Sequence, residues 1–181
     1  MLASLSNVAV PLKAMASVRA YASIGSNLEP ERNIRDCIRL LKETFSPLTC
    51  SPVYRNPAVG FVGDDFYNLV VGFDTECPFS DLKDLFRRFE QAQGRQRGGP
   101  KFSARTLDLD LLTYGDLVMD LPGGVLPHPD ILAYPFVLQP LADIAPDEYH
   151  PRVGKTYAEL WRSQTPTSAP MAVLADFRNT L

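Results

Sequence analysis

The chain has 181 residues, of which 45% are hydrophobic and 22% charged, a composition that excludes disordered, collagen-like and membrane proteins. Eighteen basic against 21 acidic residues give a net charge of −3, which argues against a nucleic-acid coat or a basic membrane-surface protein. Three cysteines without a C-x-x-C pair and two histidines argue against a zinc site and indicate a reducing, cytoplasmic compartment.

One folded domain is expected between two looser ends. Residues 1–17 lack a basic start, and Asn7 and Pro11 interrupt their apolar stretch, so we interpret them as a flexible N-terminal extension rather than a signal peptide. Residues 18–162 form the predicted domain, and residues 163–181 a C-terminal tail that begins with a polar linker. No apolar run reaches the length of a membrane-spanning helix.

The first part of the predicted domain contains a strand and a helix. Val18–Ile24 is a short apolar run that closes on Gly25-Ser26-Asn27, which predicts a strand followed by a turn. A helix is expected next, because Pro30 suits a first helical turn and apolar residues recur at helical spacing until Pro47. The apolar face of this helix comprises Ile34, Ile38, Leu41 and Phe45.

The second part continues the alternation of strands and helices. Extended stretches at 48–54 and 66–75 precede a second helix, and a loop at 94–104 leads into a strand at 105–114. The apolar face of the second helix comprises Leu82, Leu85, Phe86 and Phe89. The order β-α-β-β-α-β predicts a ferredoxin-like α+β fold, in which both helices cover one face of an antiparallel sheet. The C-terminal additions are short helices near residues 129–141 and 155–162.

The strand predicted at 105–114 carries two carboxylates on one face. Leucines alternate with polar residues there, so Asp108 and Asp110 project from the same face, about 6.6 to 7 Å apart. Hard divalent cations such as Mg²⁺ prefer a few carboxylates together with waters and substrate phosphates. An exposed strand face kept soluble by two acids is the simpler explanation of the pair, so the motif alone leaves both interpretations open.

A basic segment lies directly before this strand. Between Gly94 and Arg105 there are four basic residues and no acidic one, whereas the rest of the chain has 14 basic against 21 acidic residues. A cationic loop beside two carboxylates suits a polyphosphate with bound Mg²⁺, because arginine binds phosphate oxygens bidentately. A solvated basic loop is the alternative. The chain has neither a G-x-x-x-x-G-K-[ST] nor a G-x-G-x-x-G motif, which argues against a P-loop or Rossmann nucleotide site.

An aromatic ring and an amide are expected to share a face of the strand at 66–75. Phe66 and Asn68 are two residues apart, so Phe66 can stack on a flat ring while Asn68 bonds to the polar edge of that ring. Core packing is the competing explanation for Phe66. His128 lies between two prolines in a predicted loop, where a neutral imidazole could donate a hydrogen bond to a phosphate.

Six motifs are distributed along the predicted domain. In chain order they are Ala22-Ser23-Ile24-Gly25-Ser26-Asn27-Leu28, Tyr54-Arg55-Asn56-Pro57, Phe66-Tyr67-Asn68, Glu90-Gln91-Ala92-Gln93-Gly94-Arg95, Arg105-Thr106-Leu107-Asp108-Leu109-Asp110, and Leu126-Pro127-His128-Pro129 with Phe136-Val137-Leu138-Gln139-Pro140-Leu141. Together they resemble the motifs of the 6-hydroxymethyl-7,8-dihydropterin pyrophosphokinases (2-amino-4-hydroxy-6-hydroxymethyldihydropteridine diphosphokinases) of folate biosynthesis. They occur in the family's order from about Val18 to Pro146, and the hexad from Arg105 to Asp110 is the most specific.

The resemblance implies that pyrophosphate passes from ATP, the cosubstrate, to the hydroxymethyl group of the pterin, with release of AMP. The implied catalytic residues are Arg95, Arg105, Asp108 and Asp110, of which Asp108 and Asp110 would ligate two Mg²⁺ ions. The implied pterin-binding residues are Asn56, Pro57, Phe66, Asn68 and Phe136, with the two phenylalanines on either side of the pterin. The implied ATP-binding residues are Glu90, Arg97, Phe102, Arg105, Leu111 and His128.

Two positions depart from the family's pattern. Phe102 stands where the family often has tryptophan, and Tyr134 stands where many members have an arginine directed toward the triphosphate. Two alternatives therefore stay open: a pterin- or nucleotide-binding paralogue without catalysis, and a pyrophosphokinase for a modified pterin. We expect a cytoplasmic monomer that binds ATP and a dihydropterin, with neither nucleic acid nor a membrane as a partner.

Overall fold

A computed structural model describes residues 16–94, 104–121, 124–164, 171–175 and 177, which form two antiparallel sheets and five helices. The elements are β1 (Val18–Ser26), α1 (Pro30–Thr44), β2 (Leu48–Cys50), β3 (Tyr54–Asn56), β4 (Phe66–Thr75), α2 (Phe79–Ala92), β5 (Asp108–Tyr114), β6 (Met119–Leu121), β7 (Gly124–Leu126), α3 (Asp130–Ala133), α4 (Pro135–Ile144), α5 (Tyr157–Ser163) and β8 (Ala172–Val173). The main sheet has the order β5-β1-β4-β3-β8, and β2 also pairs with β4. This arrangement confirms the predicted α+β, ferredoxin-like class.

Helices α1 and α2 cover one face of the main sheet, as predicted. Helix α1 begins at Pro30 and buries Ile34, Ile38 and Leu41, while Phe45 just beyond its end stacks on Phe73 of β4 with ring centroids 4.4 Å apart. Helix α2 contributes its apolar positions to the same core. Burial of each such side chain stabilises the fold by about 1.5 to 3 kcal/mol relative to exposure.

The second face of the main sheet is only partly covered. Helices α3, α4 and α5 pack at one end of it, over Tyr21 of β1, Val70 of β4 and Leu112 of β5. Val137 and Leu138 of α4 belong to this second apolar cluster. The other end of the same face, where β1 approaches Ser26, remains open as a cleft.

The register of the three central strands determines which side chains meet at the open end. Strand β1 lies between β4 and β5, and Gly25 is paired with Asn68 on one side and with Asp108 on the other. Two residues earlier, Ser23 is paired with Val70 and Asp110. Because alternate residues face the same side of a sheet, this register brings the amide of β4 and the carboxylates of β5 to one surface.

Three predicted boundaries were wrong. The stretch expected at 48–54 is divided into β2 and β3, and β3 continues to Asn56. The turn expected at 25–27 is shorter, since β1 continues to Ser26, where pairing with β4 still holds. The strand expected from Arg105 begins only at Asp108. Before that point, the carbonyl of Arg105 accepts hydrogen bonds from the backbone N–H groups of Asn27 and Leu28, at 3.1 and 3.2 Å, instead of joining the sheet.

Three short strands were not predicted. Strands β6 and β7 form a separate hairpin, and β8 pairs with β3 inside the segment expected to be a tail. Strands of two or three residues are too short to show alternation in the sequence. Phe177, in the same C-terminal segment, is buried in the main core. Within the described part of the chain, no helix is long and apolar enough to cross a membrane.

Candidate active site

The cleft on the open half of the sheet has a volume of about 230 Å³. Its floor consists, in chain order, of Ser23, Gly25, Phe66, Asn68, Asp108 and Asp110. The surrounding walls include Asn56, Phe61, Arg105, Asp130, Tyr134 and Phe136. The structure therefore brings together most of the pterin-binding residues and three of the four catalytic residues that the resemblance implied. Arg95, Arg97 and Phe102 lie outside the described residues.

The two carboxylates of β5 lie in the cleft, as the alternation predicts. Asp108 and Asp110 line it together, while Leu109 between them is buried in the core on the opposite face. The guanidinium of Arg105 forms an ion pair with Asp108, and both side chains are about three-quarters buried. Arg105 therefore places a positive charge at the edge of an otherwise acidic surface.

The acidic pair fits Mg²⁺ by the chemistry of its donors. Carboxylate oxygens are hard ligands, and the open cleft leaves room for waters and phosphate oxygens beside them. Among the described residues, no group of three or more histidine, cysteine, aspartate or glutamate side chains could hold a metal by itself. A site shared between protein and substrate phosphates is the mode of binding that Mg²⁺ favours.

A glycine and two amides shape the base of the cleft. The Nδ2 of Asn68 donates to Oδ1 of Asn56 at 2.7 Å, and Nδ2 of Asn56 donates to the carbonyl of Pro57 at 2.9 Å. A Cβ atom at Gly25 would lie only 2.9 Å from Oδ1 of Asn68. The amide oxygen of Asn68 is thus a hydrogen-bond acceptor that lies directly above the bare backbone of Gly25.

Aromatic side chains line both the floor and the walls of the cleft. Phe66 meets Phe61 edge to face, with centroids 6.2 Å apart, and Phe136 stacks on Tyr134 with centroids 5.0 Å apart. All four rings line the cleft. Phe66 and Phe136 come from different elements, β4 and α4, so the sequence alone could not show that they share one cavity.

His128 lies in the loop after β7 and is fixed by its backbone. Its N–H donates to the carbonyl of Leu112 at 2.7 Å, and its Nδ1 accepts from the N–H of Asp130 at 3.3 Å. Burial lowers the pKa of His128 below its ordinary value, and this outweighs the opposite effect of Asp130 and Asp108. The imidazole is therefore neutral near pH 7, with its proton on Nε2 because Nδ1 is an acceptor.

His128 does not line the cleft, and neither do three other residues of the resemblance. Glu90 of α2 is buried, and its Oε1 accepts from the N–H of Leu109 at 3.1 Å, so it supports β5 from the core side. Leu111 is buried in the main core. Pro57 is exposed beside Asn56. Their proposed contacts with substrate remain predictions.

Asn27 is a buried residue to which the sequence analysis assigned no role. Its Oδ1 accepts from the N–H of Arg105 at 2.7 Å, and its Nδ2 donates to the carbonyl of Asp64 at 3.2 Å. It thereby joins the chain before β5 to the loop before β4. Gly25 and Ser23, also missed as lining residues, could have been found from the alternation along β1, where they share a face.

Comparison with known proteins identifies the family. The model of the 7,8-dihydro-6-hydroxymethylpterin-pyrophosphokinase (HPPK) family matches residues 21–146, well over half of the chain. The chain belongs to this family. It is 40% identical over 134 residues to the 2-amino-4-hydroxy-6-hydroxymethyldihydropteridine pyrophosphokinase of Pseudomonas aeruginosa, and the match covers 71% of this chain and 82% of the relative. It is 32% identical over 134 residues to that of Haemophilus influenzae, covering 72% and 83%.

Solved structures show the same fold. The chain superimposes on a Plasmodium falciparum HPPK-DHPS crystal structure with a TM-score of 0.64 at 13% identity, and the match covers 81% of this chain and 41% of that longer chain. Family membership confirms the resemblance found in the motifs. It also confirms the enzyme class, an ATP-using pyrophosphokinase that transfers pyrophosphate to hydroxymethyldihydropterin in folate biosynthesis.

Proposed function

We propose that the cleft holds the pterin and the phosphates of ATP side by side for this transfer. The observation that carries the proposal is the pairing of Gly25 with Asn68 on one side and with Asp108 on the other. The aromatic and amide groups thus adjoin the carboxylates across a single strand. A flat ring above Gly25 would direct its substituent toward the place where phosphates are bound.

The pterin end of the cleft consists of aromatic and amide side chains. Phe66 and Phe136 stack on the two faces of the ring, and such contacts are typical of flat heterocycles. Oδ1 of Asn68 accepts a hydrogen bond from an N–H group on the edge of the pterin, while Asn56 holds the Asn68 amide in that orientation. The Nδ2 of Asn56 donates a hydrogen bond to the carbonyl of Pro57, which fixes the Asn56 amide in turn.

The phosphate end consists of charged side chains. Asp108 and Asp110 would hold two Mg²⁺ ions, which neutralise the charge on the phosphate oxygens and so favour attack by an alcohol. The guanidinium of Arg105 adds a cation at the edge of the cleft. On family similarity alone, Arg95 is proposed to neutralise the transferred group. Arg97, Phe102, Glu90, Leu111 and His128 are proposed along the nucleotide on the same basis.

The reaction needs positioning and screening of charge rather than a strong base. The hydroxymethyl oxygen of the pterin forms a bond to the β-phosphorus of ATP, and the bond from that phosphorus to the oxygen bridging to the α-phosphate breaks. AMP leaves with the bridging oxygen, and the hydroxyl proton passes to water. A neutral His128 donates from Nε2 to a phosphate oxygen, and fixed donors and cations of this kind lower the barrier.

The remaining expectations are also proposals. We infer that residues 18–162 are the catalytic unit of a cytoplasmic monomer, with 163–181 adding β8 to its sheet and with no nucleic-acid or membrane partner. The described cysteines, Cys37, Cys50 and Cys77, are all free thiols, which suits a reducing compartment. The net charge of −3 supports the absence of a nucleic-acid partner.

One assay tests the proposed reaction. The full chain is incubated with ATP, Mg²⁺ and 6-hydroxymethyl-7,8-dihydropterin, and AMP is measured with and without the pterin. Formation of AMP that depends on both the pterin and Mg²⁺ is expected. Pterin binding without AMP would instead support a non-catalytic paralogue, and AMP formed only with a substituted pterin would support the modified-pterin alternative.

A further inference from the structure

The rings of Tyr134 and Phe136 are stacked on each other at the helical wall of the cleft. Their centroids are 5.0 Å apart and their planes differ by 19°. Both rings line the cleft and also pack against the apolar cluster on the second face of the sheet, next to Val137. One face of Phe136 is therefore covered by another aromatic residue of the protein itself.

The backbone fixes the position of Tyr134 independently of its side chain. Tyr134 lies between α3 and α4, and Pro135 after it favours the extended conformation observed, with φ −128° and ψ 123°. Its N–H donates to the carbonyl of Asp130 at 3.0 Å, and its carbonyl accepts from the N–H of Val137 at 3.0 Å. Substitution of the side chain leaves all of these main-chain contacts available.

We propose that Tyr134 is a positioning residue for the pterin end of the cleft, holding the ring of Phe136 so that its uncovered face meets the substrate. A ring that is already ordered loses less freedom when the pterin binds, so the stack favours pterin affinity. This role rests on the proposed function of the cleft. It differs from the role of the arginine that the resemblance led us to expect at this position, because a phenol cannot neutralise a triphosphate.

The charges of the residues that line the cleft agree with a role for Tyr134 at the pterin end rather than at the phosphate end. Among the described residues that line it, Asp108, Asp110 and Asp130 are acidic and Arg105 is the basic one. Tyr134 therefore adds an aromatic surface, not a compensating cation. Its loss should change the affinity for the pterin while leaving the affinity for ATP unchanged.

The experiment compares Tyr134→Phe and Tyr134→Ala in the full chain. Steady-state kinetics give kcat, the KM for the dihydropterin at saturating ATP and Mg²⁺, and the KM for ATP at saturating pterin. We expect Tyr134→Phe to stay within twofold of the parent in all three. Tyr134→Ala should raise the KM for the pterin about fivefold, the size of a lost aromatic pair, with kcat and the KM for ATP within twofold.

The matched control is Tyr149→Ala, since Tyr149 is 65% exposed and does not line the cleft. Its kinetic constants should match those of the parent. If Tyr134→Ala does not fold, as judged by thermal unfolding, Tyr134→Leu replaces it and should raise the KM for the pterin in the same way.

Three results would overturn the proposal. A lower KM for the pterin in Tyr134→Ala would mean that Tyr134 occupies the place of the substrate ring. A loss of kcat or a raised KM for ATP in Tyr134→Phe would mean that the hydroxyl acts on the phosphates. Unchanged constants in Tyr134→Ala would remove any role in binding. Absence of AMP formation by the parent chain would instead refute the proposed function, and calorimetric titration of the dihydropterin into the same variants would then still test the stack.

Discussion

Nδ2 of Asn68 donates a hydrogen bond of 2.7 Å to Oδ1 of Asn56 at the base of the cleft. The amide of Asn56 in turn donates to the carbonyl of Pro57, so both amide orientations follow from one chain of hydrogen bonds. Oδ1 of Asn68 is left as the acceptor above Gly25. The protein thus orients this acceptor before any substrate arrives.

The two asparagines should contribute to pterin affinity as a unit. Asn68→Ala and Asn56→Ala are each expected to weaken pterin binding about tenfold, because each leaves a buried amide unpaired or misdirected. The double variant should lose about twentyfold rather than a hundredfold, a coupling of about 1 kcal/mol. Titration calorimetry with the dihydropterin measures all four dissociation constants. Strictly multiplicative losses would contradict the coupling.

Gly25 should be intolerant of any side chain. In Gly25→Ala the new methyl group would lie 2.9 Å from Oδ1 of Asn68, on the floor where the pterin ring is proposed to lie. We expect the KM for the pterin to rise at least about tenfold, as for a displaced buried hydrogen-bond partner, while the KM for ATP changes less than twofold. A thermal-unfolding measurement separates this effect from a general loss of stability. Normal pterin kinetics would show that the ring binds elsewhere.

The carboxylates of β5 should be required for turnover and not for folding. Asp108→Asn and Asp110→Asn keep the shape of the side chain but remove the charge that holds Mg²⁺, so kcat should fall at least about a hundredfold. Circular dichroism and the melting temperature should stay close to those of the parent, since both residues face the cleft. Asp147→Asn is the matched control, because Asp147 is exposed and does not line the cleft. Unchanged turnover in either cleft variant would rule out its metal role.

Acid should destabilise the fold in part through His150. Burial lowers the pKa of His150 below its ordinary value of 6.5, with a smaller effect of Arg152 in the same direction. As the pH falls, the unfolded chain therefore binds a proton on His150 before the folded chain does. The contribution of His150 to the free energy of unfolding is complete above pH 6.5 and is lost as the pH falls through the lower, folded-state pKa. NMR titration should place the pKa of His150 below 6.5. Between pH 7 and 5, denaturant unfolding of His150→Gln should show a weaker loss of stability with acid than the parent, and equal slopes would contradict this.

Local periodicity was sufficient to predict most of the sheet and the two main helices. The run from Phe66 to Thr75 is a strand with the predicted bounds, because its apolar and β-branched residues are buried on both faces along much of its length. Helix α1 begins at Pro30 and ends before Pro47. The ring of proline fixes φ at a value that suits the first turn of a helix, and proline lacks the N–H group that a helix needs in order to continue. The bounds of this strand and this helix depend on residues that are close together in the chain, so the sequence pattern was enough to predict them.

The same periodicity placed Asp108 and Asp110 on one face of β5 and Phe66 with Asn68 on one face of β4. It could not show that these faces adjoin, since that depends on the pairing of β1 between the two strands. The predicted turn at Gly25 was wrong for the same reason: a glycine beside polar residues favours a turn locally, but hydrogen bonds to both neighbouring strands keep it extended.

The sequence by itself determined the order of the main strands and helices, the acidic pair and, through its motifs, the family. Only the tertiary structure decided that α3 to α5 cover one end of the sheet's second face and leave the other end open, and that Tyr134 stacks on Phe136 there. The physical reason is that the cleft is the part of the sheet surface that no helix covers. Which surface stays uncovered depends on how distant segments fill the rest, and no local pattern of residues contains that information.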